Sequence, residues 1–183
     1  MALLVVGIIV FFGLHFVPAL AIKSSLQERF GEGAYKGLFS LIAFAGLALI
    51  VLGFQQAEFV PLWDPLSFGR GLAISLMPVA AILVVAANIP NNIKRWLRHP
   101  MLIGVTLWAF VHLMANGDLS STIIFASFLA YSVINIALVE SAGRYQKQEP
   151  VSFIWDLGTV FVGIFLYAFL FGFHHHFAGV KLY

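Results

Sequence analysis

Two histidines stand inside apolar stretches of the chain, and they offer the most distinctive chemistry in the sequence. His15 and His112 each lie in a run that contains no Lys, Arg, Asp or Glu. An ionisable side chain costs free energy in a bilayer, so it is a functional candidate by default. Imidazole is a common ligand of metal ions and of haem iron. The two histidines therefore predict a metal or haem site within a membrane.

The lack of cysteine narrows that chemistry further. The chain contains no cysteine, which excludes disulfides, iron–sulfur clusters, thiolate-ligated haem and cysteine nucleophiles. The six histidines are then the only soft ligands present in number. No serine stands in the sequence context of a nucleophile elbow, so nucleophilic hydrolysis is not supported.

The composition is that of a membrane protein. Of the 183 residues, 61% are hydrophobic and only 10% are charged, which is more apolar side chain than a soluble core of this size could bury. The net charge of +2 comes from Lys and Arg residues spread between the apolar runs. These cations indicate membrane topology, and they form no basic cluster that would favour nucleic-acid binding.

Six apolar runs approach the length of about 20 residues that a helix needs to cross a bilayer. They predict an all-α fold, a polytopic bundle of six transmembrane helices that forms a single domain over residues 1–183. The fourth run is short, and Pro100 suits the first turn of its helix. Asn116-Gly117-Asp118 predicts a turn, so the fourth and fifth spans should form an antiparallel hairpin. The predicted spans are residues 2–22, 37–57, 71–89, 101–115, 119–139 and 151–173.

The cations also predict which way the helices run. Eight of the ten Lys and Arg residues fall in the first, third and fifth connections, which the positive-inside rule assigns to the cytoplasm. Both termini are therefore expected outside. Ala19-Leu20-Ala21 is similar to the cleavage site of a signal peptide, but no Lys or Arg precedes residue 23, which favours an uncleaved first helix.

Each of the two intramembrane histidines allows more than one interpretation. His112, with Trp108 one turn before it, could hydrogen-bond a neighbouring helix or act as an axial ligand to haem iron, and its cost in the membrane favours the ligand. Gly13, close to His15, would let a planar cofactor approach its helix. At 1.5 Å per residue, His15 lies about 10 Å and His112 about 16 Å from the cytoplasmic face. Helix tilt permits a shared iron without requiring one.

The remaining candidates lie near the ends of the spans. His99 is about 20 Å along the helix from His112, too far to share its iron, and suits a helix start. Arg98 could bind haem propionates or lipid phosphates. Asp156 is expected to pair with Arg95, Arg98 or Arg144. Successive residues on a helix point about 100° apart, so the three histidines of a tract at the end of the sixth span cannot all ligate one ion there, and an interfacial position is favoured for them. That tract is His174-His175-His176, in which His174 is the favoured member.

The sequence resembles the NnrU family of integral membrane proteins. The resemblance is most specific in the middle of the chain, and Gly13-Leu14-His15 and Gly179-Val180 fit the two ends of the family pattern. The matching middle block consists of His99-Pro100, Leu107-Trp108-Ala109, His112-Leu113, Asn116-Gly117-Asp118 and Phe128-Leu129-Ala130.

The resemblance implies a haem protein. The family is named for a bacterial membrane protein linked to denitrification and nitric oxide metabolism, and it includes haem b-dependent zeta-carotene isomerases. In that branch the proposed haem histidines match His15 and His112, and His99 matches a further family histidine. A thiolate has been suggested as an exchanging ligand there, but Ala109 stands one turn before His112 and the chain has no cysteine. A thiolate ligand switch is therefore excluded.

Three functions follow as hypotheses. The first is a haem b protein of the bacterial inner membrane, with His15 and His112 as iron ligands and Trp108, Gly13, His99 and Arg98 as further cofactor-binding candidates. It would serve redox or nitric oxide chemistry, with a gas molecule as ligand. The second is a haem-dependent cis-trans isomerase of a polyene lipid. The third is a cofactor-free assembly or regulatory factor that accompanies a membrane reductase. Proposed ligation does not by itself fix the chemistry, because one fold can hold different sites.

Overall fold

The computed structural model describes residues 1–18, 22–143 and 148–179, and this part of the chain is helical. It contains no strand among those residues, and its β-structure is one isolated bridge between Pro61 and Asp118. The all-α class is therefore confirmed. The helices are α1 (Ala2–Phe16), α2 (Ile22–Phe30), α3 (Glu32–Gln55), α4 (Gly69–Ala86), α5 (Ile93–Trp96), α6 (Pro100–Ala115), α7 (Leu119–Ser141), α8 (Ile154–Gly172) and α9 (His174–Ala178).

Four of these helices, α3, α4, α7 and α8, are long and apolar enough to cross a membrane. The two others that match predicted spans, α1 and α6, are apolar but have 15 and 16 residues. The chain therefore has the helices of a membrane protein, whereas six crossings and the outward termini stay predictions. Helix α1 ends at Phe16, short of the predicted end of the first span, and residues 19–21 lie outside the described residues.

The chain divides into two compact units, Met1–Val60 and Pro61–Tyr183. In the first unit, α1 packs along α3 at positions where one helix has no side chain to separate the backbones. A Cβ added at Gly7 would lie 2.6 Å from the backbone nitrogen of Ile50, and one at Gly46 would lie 3.0 Å from that of Phe11. Small residues allow such close approach, which provides van der Waals contact between helices in lipid.

In the second unit, α4 packs against both α6 and α8, and α6 packs against α7. The predicted hairpin between α6 and α7 is present, and Asp118 is the N-cap of α7. Its carboxylate accepts hydrogen bonds from the backbone nitrogen of Ser121 at 2.9 Å and from the hydroxyl of Ser120 at 2.6 Å. Burial raises the pKa of the Asp118 carboxyl, but these hydrogen bonds outweigh that effect and leave the pKa below its usual value. The cap fixes the start of α7.

Candidate functional site

His112 lies on α6 in an aromatic environment. Its ring stacks on Phe125 of α7, with centroids 4.6 Å apart and planes 29° apart. Trp108, one turn earlier on α6, lies 5.3 Å from the imidazole and contacts both Phe125 and Phe128 edge-on. Residues of the α6–α7 hairpin therefore hold the imidazole, and Trp108 is part of its surroundings as the sequence predicted.

The hydrogen bond of His112 determines which ring nitrogen is available as a ligand. Its Nδ1 lies 2.8 Å from the backbone oxygen of Trp108. A carbonyl can only accept, so Nδ1 carries the proton and donates it. In a neutral imidazole the lone pair is then on Nε2, at the far side of the ring from that bond. Fixing one nitrogen through a backbone carbonyl is also how proteins orient metal-bound histidines.

His15, in the first unit, has the same arrangement. Its Nδ1 lies 2.7 Å from the backbone oxygen of Phe11, again four residues earlier on the same helix. The imidazole stacks on the Phe11 ring at 4.1 Å and meets Phe39 of α3 edge-on at 5.3 Å. A Cβ added at Gly13 would meet nothing within 4 Å, so the space predicted beside this glycine is open. His15 therefore also presents Nε2 as the nitrogen with the lone pair.

His99 and Arg98 lie at the opposite end of α6 from His112. The His99 imidazole is 2.8 Å from one carboxylate oxygen of Glu140, and Arg98 donates to the other at 2.9 Å. Glu140 is near the end of α7, which the antiparallel hairpin brings beside the start of α6. Arg98 thus forms an ion pair with Glu140, and His99 contacts the same carboxylate. The structure does not bring them to His112, which lies about 20 Å away along the helix.

The expected partner of Asp156 is different in the structure. Asp156 was predicted to pair with Arg95, Arg98 or Arg144, but its two carboxylate oxygens accept hydrogen bonds from the backbone and side-chain nitrogens of Asn92, both at 2.7 Å. The prediction of Arg95 or Arg98 is wrong, and Arg144 lies outside the described residues. The physical reason is that an amide can satisfy the carboxylate at the α8 start without placing a second charge there.

His174 lies beside His112, which the sequence did not predict. The two imidazole centroids are 6.5 Å apart and the ring planes differ by 20°. His174 begins α9, 62 positions after His112 in the chain, so no local spacing could reveal the contact. The predicted membrane topology held a signal, because it places both residues toward the same side of the membrane.

A family model described as NnrU protein matches residues 3–182, nearly the whole chain. The chain belongs to the NnrU family. No curated protein and no solved structure matches it significantly. The family match covers all six histidines and the hairpin that holds His112. The match shows that the chain is an NnrU family member and assigns no role to any histidine.

The grouping of possible metal ligands in this NnrU family member bears on which metal cofactor it could hold. Within the described ranges, no group of three or more His, Asp or Glu residues could hold a metal ion. A structural zinc site needs four such ligands and a catalytic one needs three. Haem iron differs, because the porphyrin supplies four nitrogens and the protein adds only one or two axial ligands. The donor set therefore suits a haem better than a bare ion.

Proposed function

We propose that this NnrU family member binds haem b in the bacterial inner membrane, with His15 and His112 as iron ligands, and that the haem serves redox or nitric oxide-linked chemistry. One observation carries the proposal. Both histidines donate Nδ1–H to the carbonyl four residues earlier, and both rings are stacked on a phenylalanine. Each imidazole is therefore oriented with its proton on Nδ1 and its lone pair on Nε2, and a neutral imidazole is the form that binds iron.

The residues present fit a haem. A porphyrin is a flat and mostly apolar macrocycle, and an aromatic environment accommodates such a surface. Trp108, Phe125 and Phe128 provide that environment around His112, and Phe11 and Phe39 provide it around His15. An imidazole in an apolar segment without such a role would be costly to retain.

The chain's own residues would orient the ligands and exclude water. The carbonyls of Trp108 and Phe11 fix the two imidazoles in one tautomer. The Phe125 and Trp108 rings restrict the motion of His112. When bound, haem supplies one-electron transfer or the binding of a small gas molecule.

The proposal is tested with the full-length protein purified in detergent and supplied with haemin. We expect a Soret band, sharp bands of six-coordinate low-spin haem b after dithionite reduction, and close to one haem per chain in a pyridine haemochrome assay. His112→Ala should abolish haem retention. His176→Ala is the matched control, because its side chain is exposed and lies outside the proposed site. A colourless wild-type protein that binds no added haemin would contradict the proposal. The cofactor-free assembly or regulatory role would then be favoured.

The reaction is tested separately from haem binding. Nitric oxide binding to the reduced protein, followed by its absorption spectrum, would support gas chemistry. Conversion of a long conjugated polyene by the reduced protein, with no conversion by His112→Ala, would support the isomerase instead. Haem retention without either activity would leave electron transfer as the function, since that chemistry requires no vacant coordination position.

A further inference from the structure

The second unit contains a pair of imidazoles, although the sequence predicted a single buried histidine there. His112 and His174 have centroids 6.5 Å apart and ring planes only 20° apart. Both residues are partly buried. Because the His112 Nδ1–H bonds to its own helix, its Nε2 lies at the far side of the ring from the α6 backbone.

The distance between the two ring centroids is close to the distance expected for two imidazoles bound to one metal ion. A metal lies about 2 Å from an imidazole nitrogen. Two imidazoles on opposite sides of one ion thus hold their nitrogens about 4 Å apart, and their ring centroids a little over 6 Å apart. The observed 6.5 Å lies close to that value. Two rings in van der Waals stacking would approach more closely, as His112 and Phe125 do at 4.6 Å.

The local structure separates His174 from the other members of its tract. Helix α8 ends at Gly172, and Phe173 lies between it and α9 with φ −97° and ψ 6°. His175 and His176 contact each other with centroids 3.8 Å apart, and His176 also contacts Phe173. His174 is the member of the tract whose ring lies beside that of His112. The break after α8 therefore gives one histidine of the tract a different position from its neighbours.

We propose that His174 is an axial ligand to the haem iron that His112 binds. This inference rests on haem binding by His112 in the proposed function, and it assigns the second protein ligand of the iron to His174 in place of His15. No bond is broken in this step, since each imidazole would donate a ring-nitrogen lone pair to the iron, which for His112 is that of Nε2. His174 would fix the coordination number of the iron, and with it the access of gas molecules to the haem.

The test compares the haem-loaded full-length protein with His174→Ala and His15→Ala variants and with the double variant. His175→Ala and His176→Ala are matched controls from the same tract. The readouts are the ferric electron paramagnetic resonance spectrum, which separates low-spin from high-spin iron, and carbon monoxide binding to the reduced protein. We expect His174→Ala to lose the low-spin signal and to bind carbon monoxide readily, while both controls keep the wild-type spectrum.

The other outcomes are equally decisive. Low-spin iron in both single variants and high-spin iron in the double variant would also support His174 as a ligand, because either histidine then suffices. A high-spin His15→Ala protein together with a low-spin His174→Ala protein would overturn the inference while leaving haem binding intact. So would a double variant that stays low-spin. A wild-type protein that takes up no haem would overturn the inference and the proposed function together.

Loss of folding must be separated from loss of a ligand. His174→Gly leaves space for a small molecule, so added imidazole should restore the low-spin spectrum if an axial ligand is what was removed. Imidazole is also added to His175→Gly, whose low-spin spectrum should not change. A His174→Gly protein that holds high-spin haem and does not respond to imidazole would contradict direct ligation by His174.

Discussion

The two units of the molecule hold histidines that are alike in their hydrogen bonds and different in their surroundings. His15 and His112 each donate Nδ1–H to the carbonyl four residues earlier. His15 is the only histidine of its unit, whereas His112 has His174 beside it. His112 is also enclosed by Trp108 and Phe125. The same imidazole orientation thus occurs once without and once with a second imidazole nearby, and the proposed iron ligation is better supported in the second unit.

The largest expected effect comes from removing each histidine in turn. His112→Ala should abolish haem retention, because the second unit loses its oriented imidazole, while His15→Ala should keep a measurable share of the haem through His112 and His174. Haem content per chain, measured by pyridine haemochrome, checks this. Equal and complete loss of haem in both variants would show that the two histidines are equally required. It would contradict the expected difference between the two units.

Part of this arrangement follows from the sequence alone. The Asn116-Gly117-Asp118 turn predicted the α6–α7 hairpin and Pro100 predicted the start of α6, since turn and helix-start residues act locally. The helical carbonyl partners of His15 and His112 are also local. The contacts of His112 with His174 and of His99 with Glu140 join residues 62 and 41 positions apart, and no short-range spacing specifies them. The Asn92 partner of Asp156 was missed because charge pairing was given priority over an amide.

The second-largest effect is expected from the packing of α1, the helix that contains His15, against α3. A Cβ at Gly53 of α3 would overlap the backbone of Leu4 in α1, so Gly53→Val should destabilise the first unit by about 1–3 kcal/mol or more through overpacking. Gly37→Val, on the same helix, is the matched control because a Cβ there meets nothing within 4 Å. Thermal unfolding in detergent measures the difference. Equal melting temperatures for the two variants would contradict the close approach of α1 and α3.

A smaller effect is expected at Asp118, the N-cap of α7, which lies six residues after His112. Asp118→Ala should cost about 1 kcal/mol by removing the N-cap, and Asp118→Asn should retain most of that stability because asparagine also caps helices. Since the folded pKa of Asp118 lies below its usual value, the carboxylate stabilises the protein above the unfolded pKa, and that stability is lost as the pH falls through the folded pKa.

The pH dependence separates the charge of Asp118 from its capping geometry. Melting temperatures of the wild type and of Asp118→Asn should converge as the pH is lowered toward the folded pKa, and should differ most at neutral pH. A constant difference over the whole acidic range would show that the ionised carboxylate contributes nothing beyond the cap itself. Haem content at neutral pH should stay unchanged in Asp118→Asn, because the asparagine keeps the hairpin that positions His112.

The smallest effect is expected at the other end of the hairpin. Glu140→Gln removes the carboxylate charge that pairs with Arg98 and that His99 contacts, and an exposed ion pair of this kind contributes little to the free energy of unfolding. Because His99 is about 20 Å along α6 from His112, the haem spectrum should be unaffected while the melting temperature falls slightly. A change of spin state in Glu140→Gln would mean that the two ends of the hairpin are coupled. His99 and Arg98 would then act on the iron through the position of α6, although neither contacts His112.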